Sequence, residues 1–190
     1  MHRWRQNGLD GCIAQRYIAR QPILDCRGRN FAYELLFRRA PEDAFHGESE
    51  QATRTTLDNL VLYGLQTLTN GKTAFINCTL QALNSGVVEL LPPRVTVLEV
   101  LETIEPSPEL AARCMYLKSQ GYRIALDDFR WVPGIESLVQ LADYIKVDFL
   151  QSDQEERTDI LRRLRGSSAV LLALISHRQV VESGGWNEEK

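Results

Sequence analysis

The sequence predicts an α/β fold in which helices cover a parallel β-sheet. Between residues 17 and 149, short apolar runs rich in β-branched side chains alternate with stretches of helical periodicity. Most of the strand runs are apolar on both faces, as is typical of parallel strands buried between layers. A (β/α) barrel and an open doubly wound sheet both fit this pattern. No glycine-rich phosphate loop follows any strand, so the dinucleotide-binding form of the open sheet has no support.

The individual elements can be predicted in chain order. Residues 17–24 and 31–37 flank a polar spacer that contains Gly28, which predicts an antiparallel hairpin. Leucines from Leu57 to Leu68 recur at helical spacing, and Asn70 and Gly71 suit the end of that helix. Further strands are predicted at 73–78, 94–101, 122–126, 144–149 and 169–175, and further helices at 80–91, 108–120, 135–141 and 153–165.

Composition narrows the class of protein. A chain of 190 residues with 44% hydrophobic residues is long enough for one domain with its own core. The net charge of −3 argues against a duplex-DNA partner. No apolar run approaches the length of a membrane helix, and the four cysteines show neither metal-finger nor paired redox spacing. We therefore expect a reduced, cytoplasmic protein with no membrane segment, in which residues 1–16 form a disordered leader.

Polar residues fall near the ends of five successive predicted strands. Because catalytic side chains of (β/α) barrels gather at the C-terminal ends of the strands, this placement predicts a site there. A lone acid after a strand usually caps a helix, and a lone lysine usually lies on the surface, but five coordinated placements favour a site. The residues are Glu34, Asn77, Glu99 with Glu102, Asp127 with Asp128, and Lys146 with Asp148.

The chemistry of these residues favours a hard cation. Oxygen ligands without His or Cys suit Mg²⁺ or Mn²⁺. Carboxylates grouped with a lysine are typical of metal-assisted phosphoester hydrolysis, in which the metal activates water and neutralises phosphate charge. The spacing alone does not select a substrate.

At these same positions the sequence resembles the EAL family of cyclic-di-GMP phosphodiesterases, over roughly residues 17–173. Any one of the matching segments is weak evidence, but six in the family's order are specific. The opening strand is Ile18-Ala-Arg-Gln-Pro-Ile-Leu24, and the family signature is Tyr33-Glu-Leu-Leu-Phe-Arg38. The later segments are Phe75-Ile-Asn-Cys78, Leu98-Glu-Val-Leu-Glu102, Asp127-Asp-Phe129 and Ile145-Lys-Val-Asp148.

The resemblance implies a fold and a set of roles. The fold would be an incomplete TIM-type (β/α) barrel with an N-terminal antiparallel hairpin. Lys146 would be catalytic, beside the attacking water, while Arg38 and Asp148 would bind the substrate. Mg²⁺ or Mn²⁺ would be the cofactor if the metal site is intact. The implied metal ligands are Glu34, Asn77, Glu99, Asp127 and Asp128.

Departures from the family pattern bear on activity. Leu35 replaces the alanine of the signature, and Arg130 replaces a glycine, where a bulky side chain would intrude on the site. The segments 18–24 and 33–38 are most similar to the branch in which an EAL domain precedes an HDOD domain, whose members are often degenerate signalling proteins.

The residues after Ala173 match nothing in the family, which expects a glutamate-containing motif and further strand–helix units. We interpret this as truncation by a frameshift or premature stop, with a natural divergent terminus as the alternative. The predicted organisation is a partial EAL domain at 17–175 and a non-matching tail at 176–190. A barrel that stops there is expected to expose two strand edges and to be marginally stable.

The predicted function is that of a degenerate, truncated bacterial EAL-domain signalling protein. It would be catalytically inactive and would bind cyclic-di-GMP or a protein partner. One alternative is an active Mg²⁺- or Mn²⁺-dependent phosphodiesterase that opens cyclic-di-GMP to linear pGpG. The other is a remnant with no function of its own.

Overall fold

A computed structural model describes residues 17–25, 27–38, 64–149, 151–175 and 178–182 of the chain. Side chains at positions 17, 37, 38, 174, 175 and 178–182 lie outside that description. The strands are β1 (Tyr17–Asp25), β2 (Asn30–Arg38), β3 (Thr73–Cys78), β4 (Thr96–Val100), β5 (Arg123–Leu126), β6 (Tyr144–Asp148), β7 (Val170–Ile175) and β8 (Arg178–Glu182). The helices are α1 (Leu65–Thr69), α2 (Leu80–Asn84), α3 (Pro108–Ser119), α4 (Glu136–Leu141) and α5 (Gln154–Arg163), with 3₁₀ turns at Val87–Leu90 and Pro93–Val95.

The strands form a barrel in sequence order, from β1 to β8. β1 and β2 form the predicted antiparallel hairpin, and each neighbouring pair from β2 to β7 is parallel. β7 and β8 are antiparallel, and only positions 176 and 177 separate them, too few for a crossover helix. The barrel is thus of the predicted incomplete TIM type, because a complete one has eight parallel strands, each followed by a helix.

The expectation of two exposed strand edges is wrong. β8 pairs with β7 in antiparallel register and with β1 in parallel register, so that the sheet closes. The prediction failed because the tail was compared with a family pattern that it does not match. Its Arg-Gln-Val-Val-Glu segment is nevertheless compatible with a strand, because it contains two β-branched valines and neither Pro nor Gly. Closure pairs the backbone groups that an edge would leave open.

Two helical predictions differ in outcome: one is wrong, and the other lies partly outside the described residues. The single helix predicted over residues 80–91 is wrong, because the chain leaves α2 after Asn84 and re-enters a 3₁₀ turn at Val87. Gly86 lies between them with φ of 78°, a conformation that glycine adopts without strain. The helix predicted from Leu57 extends into positions outside the described residues; its end at Asn70, with φ of 52°, is as expected. None of the helices that the structure describes is long and apolar enough to cross a membrane.

The two faces of the barrel sheet have separate apolar clusters. Side chains on the outer face pack against the helices; they include Leu35, Ile76, Leu98, Ile124 and Ile145. The alternate side chains point into the barrel, because successive residues of a strand face opposite sides. They form a second cluster, which we call the inner apolar layer: Ile23, Ala32, Phe75, Val97, Ala125, Tyr144 and Leu172.

Candidate functional site

A layer of polar side chains lies directly above the inner apolar layer. Each of its members comes two residues after an apolar one on the same strand or at its end, so both point into the barrel. Four of the five are buried, and the fifth, Asp127, is partly buried. We call this set the inner polar layer: Glu34, Asn77, Glu99, Asp127 and Lys146.

Lys146 lies at the centre of the inner polar layer. Its Nζ is 2.7 Å from Asp127 Oδ1, 2.8 Å from Glu99 Oε1 and 3.2 Å from Glu34 Oε2. The lysine side chain is only 5% exposed. Three carboxylates therefore surround one ammonium group, and the negative charges outnumber the positive one.

Asn77 links the remaining side of the layer. Its Nδ2 donates a hydrogen bond to Glu34 Oε1 at 3.2 Å. The parallel register sets Asn77 opposite Glu99 on β4, which explains how residues far apart in sequence meet in one layer. Glu34 thus contacts both the amide and the ammonium group through its two oxygens.

Burial and crowding of charge shift the acidity of this layer. Burial raises the pKa of Glu99 well above its usual range; attraction by Lys146 opposes this shift, and repulsion from Glu34 and Asp127 adds to it. Burial would lower the pKa of Lys146, but the attraction of the three carboxylates raises it well above its usual range. The lysine is therefore held as a cation, while Glu99 has a strong tendency to keep a proton.

Asp128 lies beside this layer in an unusual backbone conformation. Its φ of 37° is uncommon outside glycine, although Asp and Asn adopt it more readily than other residues. Its N–H donates to Asp127 Oδ1 at 3.1 Å, and the next residue, Phe129, donates its N–H to Lys146 O at 2.8 Å. Burial, assisted by repulsion from Asp127, raises the pKa of Asp128 to about 6.

The other predicted site residues lie at the rim or outside the description. Asp148 accepts hydrogen bonds from the backbone and side-chain amides of Gln151, at 3.2 and 2.8 Å. Glu102 is exposed. Arg38 ends β2, and its side chain is not among those described. Sequence reasoning missed Gln21, which is registered opposite Glu34 across the hairpin; the antiparallel pairing of 18–24 with 31–38 would have indicated it.

Two cavities open at this end of the barrel. The larger, of about 430 Å³, has mainly apolar walls, including Ile104, Val132 and Leu138, and reaches Asp127 and Asp128. The smaller, of about 250 Å³, is bordered by Asp128, Asp148 and other polar side chains. The larger one has the size of an ordinary small-molecule pocket.

The donor chemistry of the site fits a hard divalent cation. Within the described residues, no three His, Cys, Asp or Glu side chains are arranged as a metal site. The ammonium of Lys146 contacts three of the carboxylates. Glu99 Oε2 is fully buried and accepts no hydrogen bond from any described residue. A buried carboxylate oxygen without a donor and an excess of negative charge are both features that a bound cation relieves.

Neither departure from the EAL signature alters the inner polar layer. Leu35 follows Glu34, so it faces outward, where it packs against the helices and is 2% exposed. Arg130 is exposed at the rim and borders both cavities without entering the layer. Arg130 therefore lies at the mouth of the site and outside the inner polar layer.

The fold and site define a (β/α)-type barrel with a lysine-centred acidic layer at the C-terminal ends of its parallel strands. A scan against models of protein families found no match. The chain is 35% identical over 164 residues to the uncharacterized protein YuxH of Bacillus subtilis, covering 83% of this chain and 40% of that protein. It is 29% identical over 161 residues to the cyclic di-GMP phosphodiesterase CdgJ of Vibrio cholerae, covering 83% and 37%. The chain thus spans about two fifths of the length of these relatives.

Solved structures identify the fold. YkuI of Bacillus subtilis, an EAL-domain protein in complex with cyclic-di-GMP and calcium, superposes with a TM-score of 0.62 at 19% identity, over 82% of this chain and 48% of that one. BlrP1 of Klebsiella pneumoniae, in a manganese and cyclic-di-GMP complex, superposes with a TM-score of 0.60 at 20% identity, over 87% of this chain and 54% of that one. The chain has the fold of an EAL domain and is similar in sequence to one protein named as a cyclic di-GMP phosphodiesterase.

Proposed function

We propose that this domain binds cyclic-di-GMP together with a divalent cation and acts in signalling without hydrolysing the nucleotide. The observation that carries the proposal is the inner polar layer, in which five strands of the barrel bring oxygen donors and one lysine into a single buried site. In this proposal residues 17–175 carry the EAL-type part, and β8 of the tail 176–190 closes the sheet.

The cation would be Mg²⁺ or Mn²⁺, as the oxygen and amide donors favour. When bound, it would neutralise phosphate charge and lower the pKa of a coordinated water. In this proposal Lys146 stays protonated beside the ligand, since three carboxylates surround it. Arg38 and Asp148, at the strand ends, would contact the nucleotide. The residues that would hold the cation are Glu34, Asn77, Glu99, Asp127 and Asp128.

The absence of hydrolysis is supported by β7. All six residues of this strand, Val170–Ile175, are apolar, whereas the EAL resemblance leads us to expect a glutamate motif directly after Ala173. Leu172 belongs to the inner apolar layer. On β2–β6 or at their ends, a polar residue of the inner polar layer follows the member of the apolar layer, whereas β7 has no polar residue. The polar layer would therefore be complete enough to bind a cation but would lack a contribution from this side of the barrel.

The alternative is an active phosphodiesterase that converts cyclic-di-GMP to linear pGpG. One observation favours it: the inner polar layer is assembled, and Leu35, the altered residue of the signature, points away from it. Under this alternative Lys146 would be the catalytic group beside the attacking water.

One experiment distinguishes these functions. The purified chain is titrated with cyclic-di-GMP in Ca²⁺, in Mn²⁺ and in EDTA by calorimetry, and the Mn²⁺ samples are analysed chromatographically for linear product. We expect cation-dependent binding and no pGpG. Turnover that disappears in Glu34→Ala would establish the phosphodiesterase instead. If the chain showed no binding and no turnover, both functions would be overturned.

A further inference from the structure

The two cavities at the open end of the barrel share a wall that contains a single basic side chain. Arg130 borders both of them and is the only Lys or Arg among the described residues that line either one. An anionic ligand entering here meets strong repulsion, because the other charged residues of the two linings are all acidic. They are Glu102, Glu105, Asp127, Asp128, Asp148 and Glu156.

Arg130 is not engaged within the part of the chain that the structure describes. Its side chain is exposed and forms no hydrogen bond, ion pair or ring contact there. Other arginines have such contacts: Arg113 pairs with Glu89, and Arg157 lies over the ring of Phe149. The charge of Lys146 is already compensated by three carboxylates. Arg130 is therefore the cation at this mouth that a ligand can use without displacing a protein contact.

The backbone on both sides of Arg130 is anchored. Phe129 is buried, and its N–H donates to Lys146 O at 2.8 Å. The Phe129 ring packs edge-on against Trp131, with centroids 5.8 Å apart. Trp131 in turn lies under the guanidinium of Arg163, 5.0 Å from the ring centroid. The guanidinium of Arg130 is thus attached to a fixed point of the rim, which reduces the entropy lost when it binds a ligand.

We propose that Arg130 binds a phosphate group of the nucleotide as a further ligand-binding residue of this site. The EAL resemblance places a glycine at this position, so the contact is an addition to the family's site. A guanidinium presents a planar fork of N–H donors that matches two phosphate oxygens, and its charge offsets the acidic rim. This inference rests on the proposed binding of cyclic-di-GMP.

The test compares four versions of the full chain: wild type, Arg130→Gln, Arg130→Lys and Arg27→Gln. Arg27 is a matched control because it is also exposed but lies in the β1–β2 turn, at the opposite end of the barrel. Affinity for cyclic-di-GMP is measured by calorimetry in Ca²⁺ at several salt concentrations. We expect Arg130→Gln to weaken binding about ten- to a hundredfold, as for other hydrogen bonds to charged groups.

The same titrations give two further readouts. Arg130→Lys should lose less affinity than Arg130→Gln, because it keeps the charge and loses the fork. Binding by Arg130→Gln should also depend less on salt than binding by wild type and by Arg27→Gln. All variants should melt at the wild-type temperature, since both arginines are exposed.

The outcomes separate this inference from the proposed function. If wild type and Arg130→Gln bind cyclic-di-GMP with equal affinity, the role of Arg130 is overturned and the proposed function stands. A wild-type chain that does not bind cyclic-di-GMP overturns both. An equal loss of affinity in Arg27→Gln would show a general effect of surface charge and would also overturn the role of Arg130.

Discussion

Two adjacent layers inside the same barrel differ completely in chemistry. The lower one is the inner apolar layer, which consists of Ala32, Phe75, Val97, Ala125 and Tyr144, together with Ile23 and Leu172. The upper one is the inner polar layer, two residues further along β2 to β6, which consists of Glu34, Asn77, Glu99, Asp127 and Lys146. The same strands and the same register support both, so the backbone does not account for the difference.

The difference separates the layer that stabilises the barrel from the layer to which the proposed function assigns a ligand. Apolar side chains in the lower layer are removed from water and contribute favourable free energy of folding. In the upper layer, burial raises the pKa of Glu99, and three carboxylates crowd around one lysine. Well-packed apolar residues would commonly be at least as stable as such a buried charge cluster. Its presence therefore points to function, because perturbed ionisable groups collect at sites.

The largest effect is expected from opening the lower layer. Phe75 is fully buried, and its ring meets Tyr144 edge-on with centroids 5.1 Å apart. Phe75→Ala should lower the free energy of unfolding by about 3–5 kcal/mol, because it removes buried surface and leaves a cavity. Urea denaturation followed by circular dichroism measures this loss. A loss below about 1 kcal/mol would mean that the lower layer is not the core of the barrel.

The outer face of β2 provides a second comparison. Leu35→Ala restores the alanine of the family signature, yet Leu35 packs against the helices. The substitution should therefore cost about 2–5 kcal/mol of stability. Cation-dependent binding of cyclic-di-GMP, measured by calorimetry where the variant is folded, should keep its wild-type affinity. A gain in affinity would show that Leu35 influences the inner polar layer after all.

The pattern of strands and helices predicted an α/β sheet and left a barrel and an open sheet as alternatives; the resemblance to the EAL family selected the barrel. The set of candidate site residues included every member of the inner polar layer. Strand residues two apart share a face, and polar residues at successive strand ends meet in a barrel, so Glu34, Asn77, Glu99 and Lys146 were predictable. The sequence did not show that Lys146 would lie between three carboxylates, since that depends on the stagger of neighbouring strands rather than on spacing along one of them.

Other features depend on contacts distant in sequence. Closure by β8 rests on pairing with β1, more than 150 positions earlier in the chain, and no local pattern encodes that partner. The break after α2 depends on Gly86. The local pattern does not indicate the break, because an isolated glycine is tolerated within an apolar helical run. The outward direction of Leu35 follows from the alternation of side chains along β2, but its packing depends on helices that lie far from it in sequence.

A conservative change in the upper layer should separate stability from binding. Glu99→Gln keeps the shape of the side chain and removes a carboxyl group that burial already disfavours as an anion. The free energy of unfolding should change by no more than about 1 kcal/mol, compared with about 3–5 kcal/mol when one partner of a buried ion pair is deleted outright. Cation-dependent nucleotide binding should be lost, as calorimetry in Mn²⁺ would show. Retained binding with wild-type stability would exclude Glu99 as a cation ligand.

The smallest effect is expected at the edge of the upper layer and depends on pH. The pKa of Asp128 is raised from 3.8 to about 6, so its ionisation is less favourable in the folded chain than in the unfolded one. The folded state therefore loses stability as pH rises from about 4 to 6, and the full cost is present above that range. Asp128→Asn removes the cost and keeps a residue type that tolerates the positive φ.

In EDTA at pH 7.5, Asp128→Asn should therefore melt above wild type. Because Asp128 is only about half buried, solvent screening limits the gain to less than about 1 kcal/mol, or at most about 2–4 °C in Tm. At pH 4 or below the two proteins should melt together, since the carboxyl is then largely protonated in the folded chain and ionises only in part when unfolded. An equal rise in Tm at both pH values would assign the effect to the backbone at position 128. It would also show that ionisation of Asp128 does not destabilise the folded chain.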